Sequence, residues 1–290
     1  MSNLPSRPAG ARSVPSQISF LGDCTGKPIF YGRQRDLNNL PLEPQAVCVE
    51  DVRPLAGQVS LDREGFVLAS HTSAVADFFD PAQVRETYMR ELEDLLVRLT
   101  GAVKVVASPG GVLRRSERSP EFGKGGSTVP ARFAHCDYSG NPACSSFWIE
   151  RMLPADEARV RMGKRFAIYN VWRALSEPPQ DAPLAVCDAR TVSPDDVVCS
   201  DCVIDPPGAP ELRFENSVFR HSPGHRWCYF PGMTRDEVLV FKGYDSDPGR
   251  ATGVPHSAFN DPSAPADAPP RARSSRSRRS SPRRSRCAVR

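Results

Sequence analysis

The stretch "FAHCDYSG" at residues 133–140 decides how the rest of the chain is interpreted. Its pattern indicates a strand, in which alternate residues point to the same side. His135 and Asp137 would therefore project together, with Cys136 on the opposite face. A neutral imidazole and a carboxylate at this spacing can take two neighbouring positions around a metal ion. The stretch predicts part of a metal site on one face of a sheet.

A third ligand is expected from a distant strand. His256 in "VPHSAF" lies 121 residues after His135 and follows the strand-like run "DEVLVFK". Two histidines and one carboxylate leave open coordination positions and are typical of non-haem Fe(II) oxygenases. Arg271, fifteen residues further on, is suited to pair with the far carboxylate of a 2-oxo acid. His225 in "GHRWCYF" is the alternative third ligand, although a histidine beside Arg and Trp is more often structural.

Short strands are predicted around these candidate ligands. The chain has 290 residues and 29 scattered prolines, which favour short elements over long helices. Their spacing suits a sandwich or barrel of antiparallel strands. The strand-like runs are "GQVSLDREGFVLASH" (two strands around a turn), "VKVVAS", "RFAHCDYS", "RFAIYNVWRAL", "PLAVCDARTV", "HRWCYFP", "DEVLVFKGYDS" and "VPHSAF".

Two helices are predicted between the strands. The first runs from Pro81 to Thr100, with Asp80 as its N-cap and Gly101 as its stop signal. Apolar residues recur along it at steps of three or four, so one face is expected to be buried. The second helix is predicted over residues 154–163.

The domain limits follow from composition. Residues 1–18 are predicted to be disordered, residues 19–262 to form one domain, and residues 263–290 to be a low-complexity Arg/Ser-rich tail. Residues 109–131, rich in Gly, Ser and Arg, are expected to form a mobile loop.

The net charge of +4 comes from the tail. Residues 269–290 hold nine Arg and no acid, which leaves 29 Lys and Arg against 34 Asp and Glu in the rest. A mildly acidic body gives no reason to expect a nucleic-acid groove. No signal peptide or membrane span is visible. We therefore expect a soluble, cytoplasmic protein whose nine cysteines are free thiols.

The run "YNVWRAL" and the pair "CSDC" supply further candidates. Asn170 and Trp172 share one strand face, so Asn170 is a candidate cosubstrate ligand and Trp172 a substrate contact, with a core Trp and a satisfied Asn as the alternative. Arg173 is a candidate for binding a substrate carboxylate or for a salt bridge. Cys199 and Cys202 form a C-x-x-C pair, but Cys136 and Cys144, the pair that would have to complete a zinc site, lie eight residues apart and lack knuckle spacing.

The blocks "GAVKVV", "AHCDYS", "YNVWRAL", "PLAVCDARTV", "HRWCYFPGMTRDEVLVFKGYDS" and "PHSAFNDP" occur in one order. Together they resemble the AsaB/CmcJ-like hydroxylase/desaturase family over roughly residues 28–271. The resemblance implies a double-stranded β-helix (a cupin-like jelly roll), mainly β with flanking helices. It also implies Fe(II), 2-oxoglutarate and O2, and the tailoring of secondary metabolites.

The resemblance places the metal ligands at His135, Asp137 and His256, and the 2-oxoglutarate arginine at Arg271. The tail departs from the family pattern, since an aliphatic final strand is missing and Arg273 competes with Arg271. The expected function is an oxygenase that hydroxylates, desaturates or peroxidises a small metabolite. The alternatives are an accessory jelly-roll protein without activity and a tail-driven RNA- or protein-binding factor. A homodimer is also considered.

Overall fold

The computed structural model describes residues 12–32, 34–108, 111–117, 128–204, 210–262 and residue 264. The described chain is mainly β, as predicted, with helices at its flanks. Its strands are β1 (Ser13–Leu21), β2 (Ile29–Tyr31), β3 (Leu42–Asp51), β4 (Phe66–Ser70), β5 (His135–Cys136), β6 (Ala167–Arg173), β7 (Leu184–Cys187), β8 (Val197–Ile204), β9 (Leu212–Phe219), β10 (Trp227–Tyr229), β11 (Glu237–Asp245) and β12 (His256–Ala258). Its helices are α1 (Pro81–Gln83), α2 (Met89–Thr100), α3 (Pro142–Met152) and α4 (Ala155–Met162), with a π-helical turn (Val84–Tyr88) joining α1 to α2.

The strands form two sheets. The large sheet has nine strands in the order β1-β3-β10-β7-β12-β5-β9-β8-β2, and the small sheet has the order β4-β11-β6. The large sheet curls far enough for Ser19 of β1 to form an isolated bridge with Phe133, two residues before β5 begins. Strands β12 and β5, which carry the two predicted histidine ligands, lie at the centre of this sheet.

The main core lies between the two sheets. Val186 and Cys228 of the large sheet share one buried cluster with Phe66, Leu239 and Phe241 of the small sheet. Full burial of each such apolar side chain contributes about 1.5–3 kcal/mol. The two sheets are therefore held face to face by this cluster.

The first predicted helix is confirmed and covers the outer face of the small sheet. Asp80 caps it, since its Oδ1 accepts from Ala82 N at 2.9 Å, and Gly101 ends it at a φ of 68°. The helix buries Tyr88, Leu92, Leu95 and Leu96 in one cluster with Val238 and Val240 of β11. The predicted second helix is also present as α4, whereas α3 was not predicted.

Several local predictions are wrong. Strand β1 begins at Ser13, because β3 pairs with it along its whole length, so part of the segment predicted to be disordered is ordered. The predicted hairpin has only its second strand, β4, since the first half folds into turns tied to the carboxylate of Glu64. "VKVVAS" forms no strand. The predicted mobile loop 109–131 lies partly outside the described residues.

A buried ionic cluster is centred on Lys242 and Asp245 of β11. Lys242 has no exposed surface, and its Nζ lies 2.7 Å from Asp245 Oδ2 and 2.9 Å from Asp62 Oδ1. Arg165 contacts the same Asp245 carboxylate at 2.7 Å. A fully desolvated ammonium is tolerated only when it is paired in this way.

Within the described ranges, no helix has the length and apolar character needed to cross a membrane.

Candidate metal centre

The three predicted ligand residues meet in the structure. His135 of β5 and His256 of β12 lie directly opposite each other in the antiparallel ladder, with ring centroids 4.2 Å apart. Asp137 follows β5, and its oxygens lie 3.7 Å from His135 Nε2 and 3.6 Å from His256 Nε2. One ligand atom from each residue lies within 4.8 Å of the other two. No second group of three such ligands occurs in the part of the chain that the structure describes.

Both imidazoles leave Nε2 free for a metal ion. His135 Nδ1 lies 2.9 Å from the carbonyl oxygen of Phe133, and His256 Nδ1 lies 3.3 Å from that of Val254. A carbonyl can only accept, so each Nδ1 carries the proton and donates it. The lone pair of each Nε2 therefore faces Asp137, which is the tautomer that a metal ligand needs.

The protonation states also suit a metal. Burial lowers the pKa of His135 and of His256, so both imidazoles are neutral at neutral pH. Burial acts to raise the pKa of Asp137, yet this pKa lies below its ordinary value, and the Asn170 amide that donates to the carboxylate is one cause. The centre offers two neutral nitrogens and one carboxylate without having to release protons first.

The centre is closed on the histidine side and open at the carboxylate. The side chains of His135 and His256 are 8% and 7% exposed, whereas that of Asp137 is 45% exposed. The Phe133 ring stacks on His135 at 4.6 Å, and the Phe241 ring lies 4.7 Å from His256. Additional ligands would therefore approach from the side of Asp137.

Asn170 spans the gap between the sheets. It lies on β6 of the small sheet, and its Nδ2 donates to Asp137 Oδ2 at 2.6 Å. The sequence predicts Asn170 as a cosubstrate ligand, but the structure brings its amide to the carboxylate of the metal cluster. This contact fixes the orientation of the carboxylate relative to the two histidines.

The structure separates the other two candidates of β6. Trp172 lies on the same strand face as Asn170 and packs against the core between the sheets. Arg173 points to the opposite face, where its Nε donates to Tyr88 Oη at 3.0 Å and its guanidinium contacts the backbone carbonyl of His71. The structure therefore does not bring Arg173 to the metal cluster.

The rival ligands also lie elsewhere. His225 Nε2 contacts Asp196 Oδ2 at 3.0 Å, and His225 does not belong to the cluster of His135, Asp137 and His256. The thiol of Cys136 faces the carbonyl of Gly243, away from the histidines. Cys199 and Cys202 join no metal-binding group among the described residues. Arg271 and Arg273 lie outside the described residues.

The contacts that fix the segment after Asp137 were not predicted. Ser139 Oγ donates to Glu215 Oε1 at 2.5 Å. The Tyr138 ring packs over Gly243, where a Cβ would lie only 2.3 Å from the ring. The register of β11 shifts at this glycine. A lone glycine inside an apolar strand is the one sequence signal that pointed to this close approach.

Comparison with known proteins agrees with this geometry. Residues 19–275 match the family model described as oxidoreductase/YMDC permease-like domain. The hydroxylase/desaturase CTB9 of Cercospora beticola is 33% identical over 82% of this chain and 77% of its own length. The Fe(II)/2-oxoglutarate-dependent dioxygenase nvfI of Aspergillus novofumigatus is 32% identical over 80% and 82%.

A solved structure shows the same fold. The iron and alpha-ketoglutarate-dependent endoperoxidase NvfI superposes with a TM-score of 0.76 at 28% identity, over 90% of this chain and 95% of that one. This agreement confirms the predicted jelly roll. The chain belongs to the family of hydroxylase/desaturases and Fe(II)/2-oxoglutarate-dependent dioxygenases, and it is an oxidoreductase with iron and 2-oxoglutarate as cofactors.

Proposed function

We propose that His135, Asp137 and His256 hold Fe(II), and that the chain uses it to oxidise a small metabolite. The observation that carries this proposal is the meeting of three ligand atoms within 4.8 Å. Both histidines present an unprotonated Nε2 there, and the carboxylate is the open corner. This donor set leaves coordination positions for a 2-oxo acid and O2.

The protein residues supply geometry and shielding. When bound, the iron together with 2-oxoglutarate and O2 supplies the oxidising chemistry, and the keto acid is converted to succinate and CO2. The carbonyls of Phe133 and Val254 hold the imidazole rings, and Asn170 holds the Asp137 carboxylate. The rings of Phe133 and Phe241 keep water from the histidine side.

Arg271 keeps its proposed role as the cation for the far carboxylate of 2-oxoglutarate, with Arg273 as its competitor. The support is the order of residues along the chain, in which an arginine follows the third ligand by fifteen positions. A planar guanidinium matches a carboxylate with two parallel hydrogen bonds.

The proposed substrate is a mid-sized, partly apolar secondary metabolite, and the outcome is hydroxylation, desaturation or peroxidation. Aromatic side chains near the open side of the centre support this class. The Trp148 ring of α3 lies 5.6 Å from Tyr138, which follows Asp137 directly, and 5.1 Å from Phe214. Trp172 presents a further aromatic surface between the sheets. Rings of this kind favour contact with a largely apolar ligand.

The proposed location is the cytoplasm. The eight cysteines within the described ranges are all free, as expected in a reducing compartment. A homodimer remains a prediction.

Substrate-independent turnover tests the proposed function. The purified chain is loaded with Fe(II) in the absence of O2, 2-oxoglutarate is added, and the solution is then exposed to air. We expect a slow release of succinate. Chelation should stop this release, and Fe(II) but not Zn(II) should restore it, because Zn(II) cannot change its oxidation state. A folded chain that retains no iron and releases no succinate would instead be the accessory protein considered above.

Asn170→Ala is expected to weaken Fe(II) binding by about 10–100-fold, the usual effect of losing a partner that orients a metal ligand. Fe(II) titration followed by retained iron measures the change. Asn260→Ala is the matched control, since Asn260 is exposed and bonds Ser16 and Arg132 instead. Unchanged Fe(II) affinity in Asn170→Ala would show that the contact to Asp137 does not orient the carboxylate.

A further inference from the structure

Both chain neighbours of Asp137 contact one glycine of the opposite sheet. The thiol of Cys136 donates to the carbonyl oxygen of Gly243 at 3.4 Å. The Tyr138 ring lies over the same glycine, so that a Cβ at position 243 would be 2.3 Å from the ring atom Cδ2 and 2.8 Å from Cε2. Gly243 belongs to β11 of the small sheet, whereas Asp137 follows β5 of the large sheet. The residues on either side of the carboxylate therefore rest on one residue that has no side chain.

The Tyr138 ring, and not the backbone, requires glycine at position 243. The φ of Gly243 is not positive, so its backbone conformation is open to other residues. The three heavy atoms nearest to a Cβ at this position all belong to the Tyr138 ring. Any side chain at 243 would therefore meet this ring first.

The strand beneath the ring cannot readily move away. β11 is the middle strand of the small sheet and pairs with β4 on one side and β6 on the other. The carbonyl oxygen of Gly243 accepts from Gly253 N at 3.2 Å, and that of Lys242 accepts from Val254 N at 3.0 Å. The buried ionic cluster holds the Lys242 side chain as well. A side chain at 243 would therefore displace the ring and not the strand.

The segment that carries Asp137 is held at both ends. Cys136 is paired with β9, and the Ser139 hydroxyl donates to Glu215 of the same strand at 2.5 Å. Only Asp137 and Tyr138 lie between these two anchors. A displacement of the Tyr138 ring would therefore be passed to the backbone of Asp137 and so to its carboxylate.

A bulge in β11 produces this arrangement. Gly243 lies where the register with β6 shifts, and it has no Cα partner in that strand. A bulge leaves the extra residue outside the ladder and bends the strand locally. Two positions earlier, Phe241 pairs with Asn170, whose amide donates to the Asp137 carboxylate. The small sheet therefore reaches Asp137 by two routes, one through the amide and one through the bulge.

We propose that Gly243 is a positioning residue of the metal centre and that it acts through Tyr138. By leaving room for the ring, it sets the position of the Asp137 carboxylate relative to the two imidazoles. A ring 2.3 Å from a new Cβ would have to move by about 1 Å, because carbon atoms meet without repulsion only at about 3.5 Å. Functional groups are productive within about 0.5 Å of their correct place. The inference rests on the function proposed above, since its readout is Fe(II) binding.

Gly243→Ala is expected to raise the Kd of Fe(II) by about 10–100-fold, the range for losing a group that orients a metal ligand. Gly140→Ala is the matched control and should bind Fe(II) as the wild type does. Gly140 lies in the same segment as Asp137, is exposed, and has no heavy atom within 4 Å of the place that its Cβ would take. Fe(II) titration without O2 measures both variants. The absorption bands of Co(II), which follow ligand geometry, should change in Gly243→Ala alone.

A double-mutant cycle separates positioning from a general loss of stability. In a Tyr138→Ala background the ring is gone, so adding Gly243→Ala should cost no further Fe(II) affinity. Tyr138→Ala by itself should weaken Fe(II) binding, because Asp137 loses the support of the ring. Tyr138→Phe keeps the ring and should restore the affinity. The two Tyr138 variants test the proposal even if Gly243→Ala does not fold.

Three results would overturn the positioning role while leaving the proposed function intact. The first is an unchanged Fe(II) affinity in folded Gly243→Ala. The second is an equal loss from Gly243→Ala with and without the Tyr138 ring, because the effect would then not pass through that ring. The third is equal Fe(II) affinity in Tyr138→Ala and Tyr138→Phe. If the wild type itself retains no Fe(II), the proposed function fails, and the role of Gly243 fails with it.

Discussion

Chains carrying His256→Ala are expected to bind Fe(II) at least ~100-fold more weakly than the wild type and to release no succinate. Loss of a residue that merely orients a ligand costs up to about 100-fold, and this change removes a ligand itself. His135→Ala should behave in the same way, because the two imidazoles face each other at 4.2 Å and both are proposed to bind the ion. Iron content after loading without O2 measures the first effect, and succinate analysis the second.

Two histidine variants outside the cluster serve as controls. His221 is exposed and contacts the ring of Phe20, so His221→Ala should retain iron. His225→Gln should retain it as well, since the imidazole of His225 pairs with Asp196. Iron lost from His225→Gln but kept by His256→Ala would move the third ligand to His225.

Lys242→Met is expected to lower the free energy of unfolding by about 3 kcal/mol. Removing one member of a buried ion pair typically costs about 3–5 kcal/mol, because the other charge is left desolvated. The low end applies here, since Arg165 still contacts the Asp245 carboxylate. Methionine preserves most of the side-chain volume, so the loss reports the charge and not a cavity. Urea unfolding followed by tryptophan fluorescence measures it.

Lys104→Met is the control for this change. Lys104 also pairs with a carboxylate, Glu157 Oε1 at 2.7 Å, but its side chain is 38% exposed. Exposed ion pairs of this kind contribute between 0 and about 1 kcal/mol to the free energy of unfolding. If the two methionine variants lose equal stability, burial does not distinguish the two ion pairs.

The proposed metal ligands could be singled out from the sequence because most of their signals are simple. His135 and Asp137 are two positions apart in one strand, so alternation alone places them together. Alternation cannot predict His256, because no local pattern links it to His135, which lies 121 positions earlier. Only the order of motifs and the family resemblance singled it out over His225. The helix after Asp80 was predictable for the same reason as the first pair, because its capping signals are local.

The remaining contacts could not be predicted because they depend on how distant strands align. Asn170 meets Asp137 only because the two sheets face each other, and no property of "YNVWRAL" reveals that distance. Arg114 lies in a segment whose composition predicts a mobile loop, yet it forms an isolated bridge with Thr128. The polar, proline-rich sequence of residues 1–18 predicts disorder, but residues 13–18 belong to β1, where pairing with β3 outweighs that tendency.

The position of β12 in the large sheet has a consequence for synthesis of the chain. It is the last of the described strands, yet it occupies the middle place among nine. While a ribosome is still translating the preceding residues, β7 and β5 each present an unpaired edge, which invites association with other nascent chains. Residues 256–258 close that gap and in the same event supply the last imidazole, so the proposed iron site is complete only once the sheet is whole.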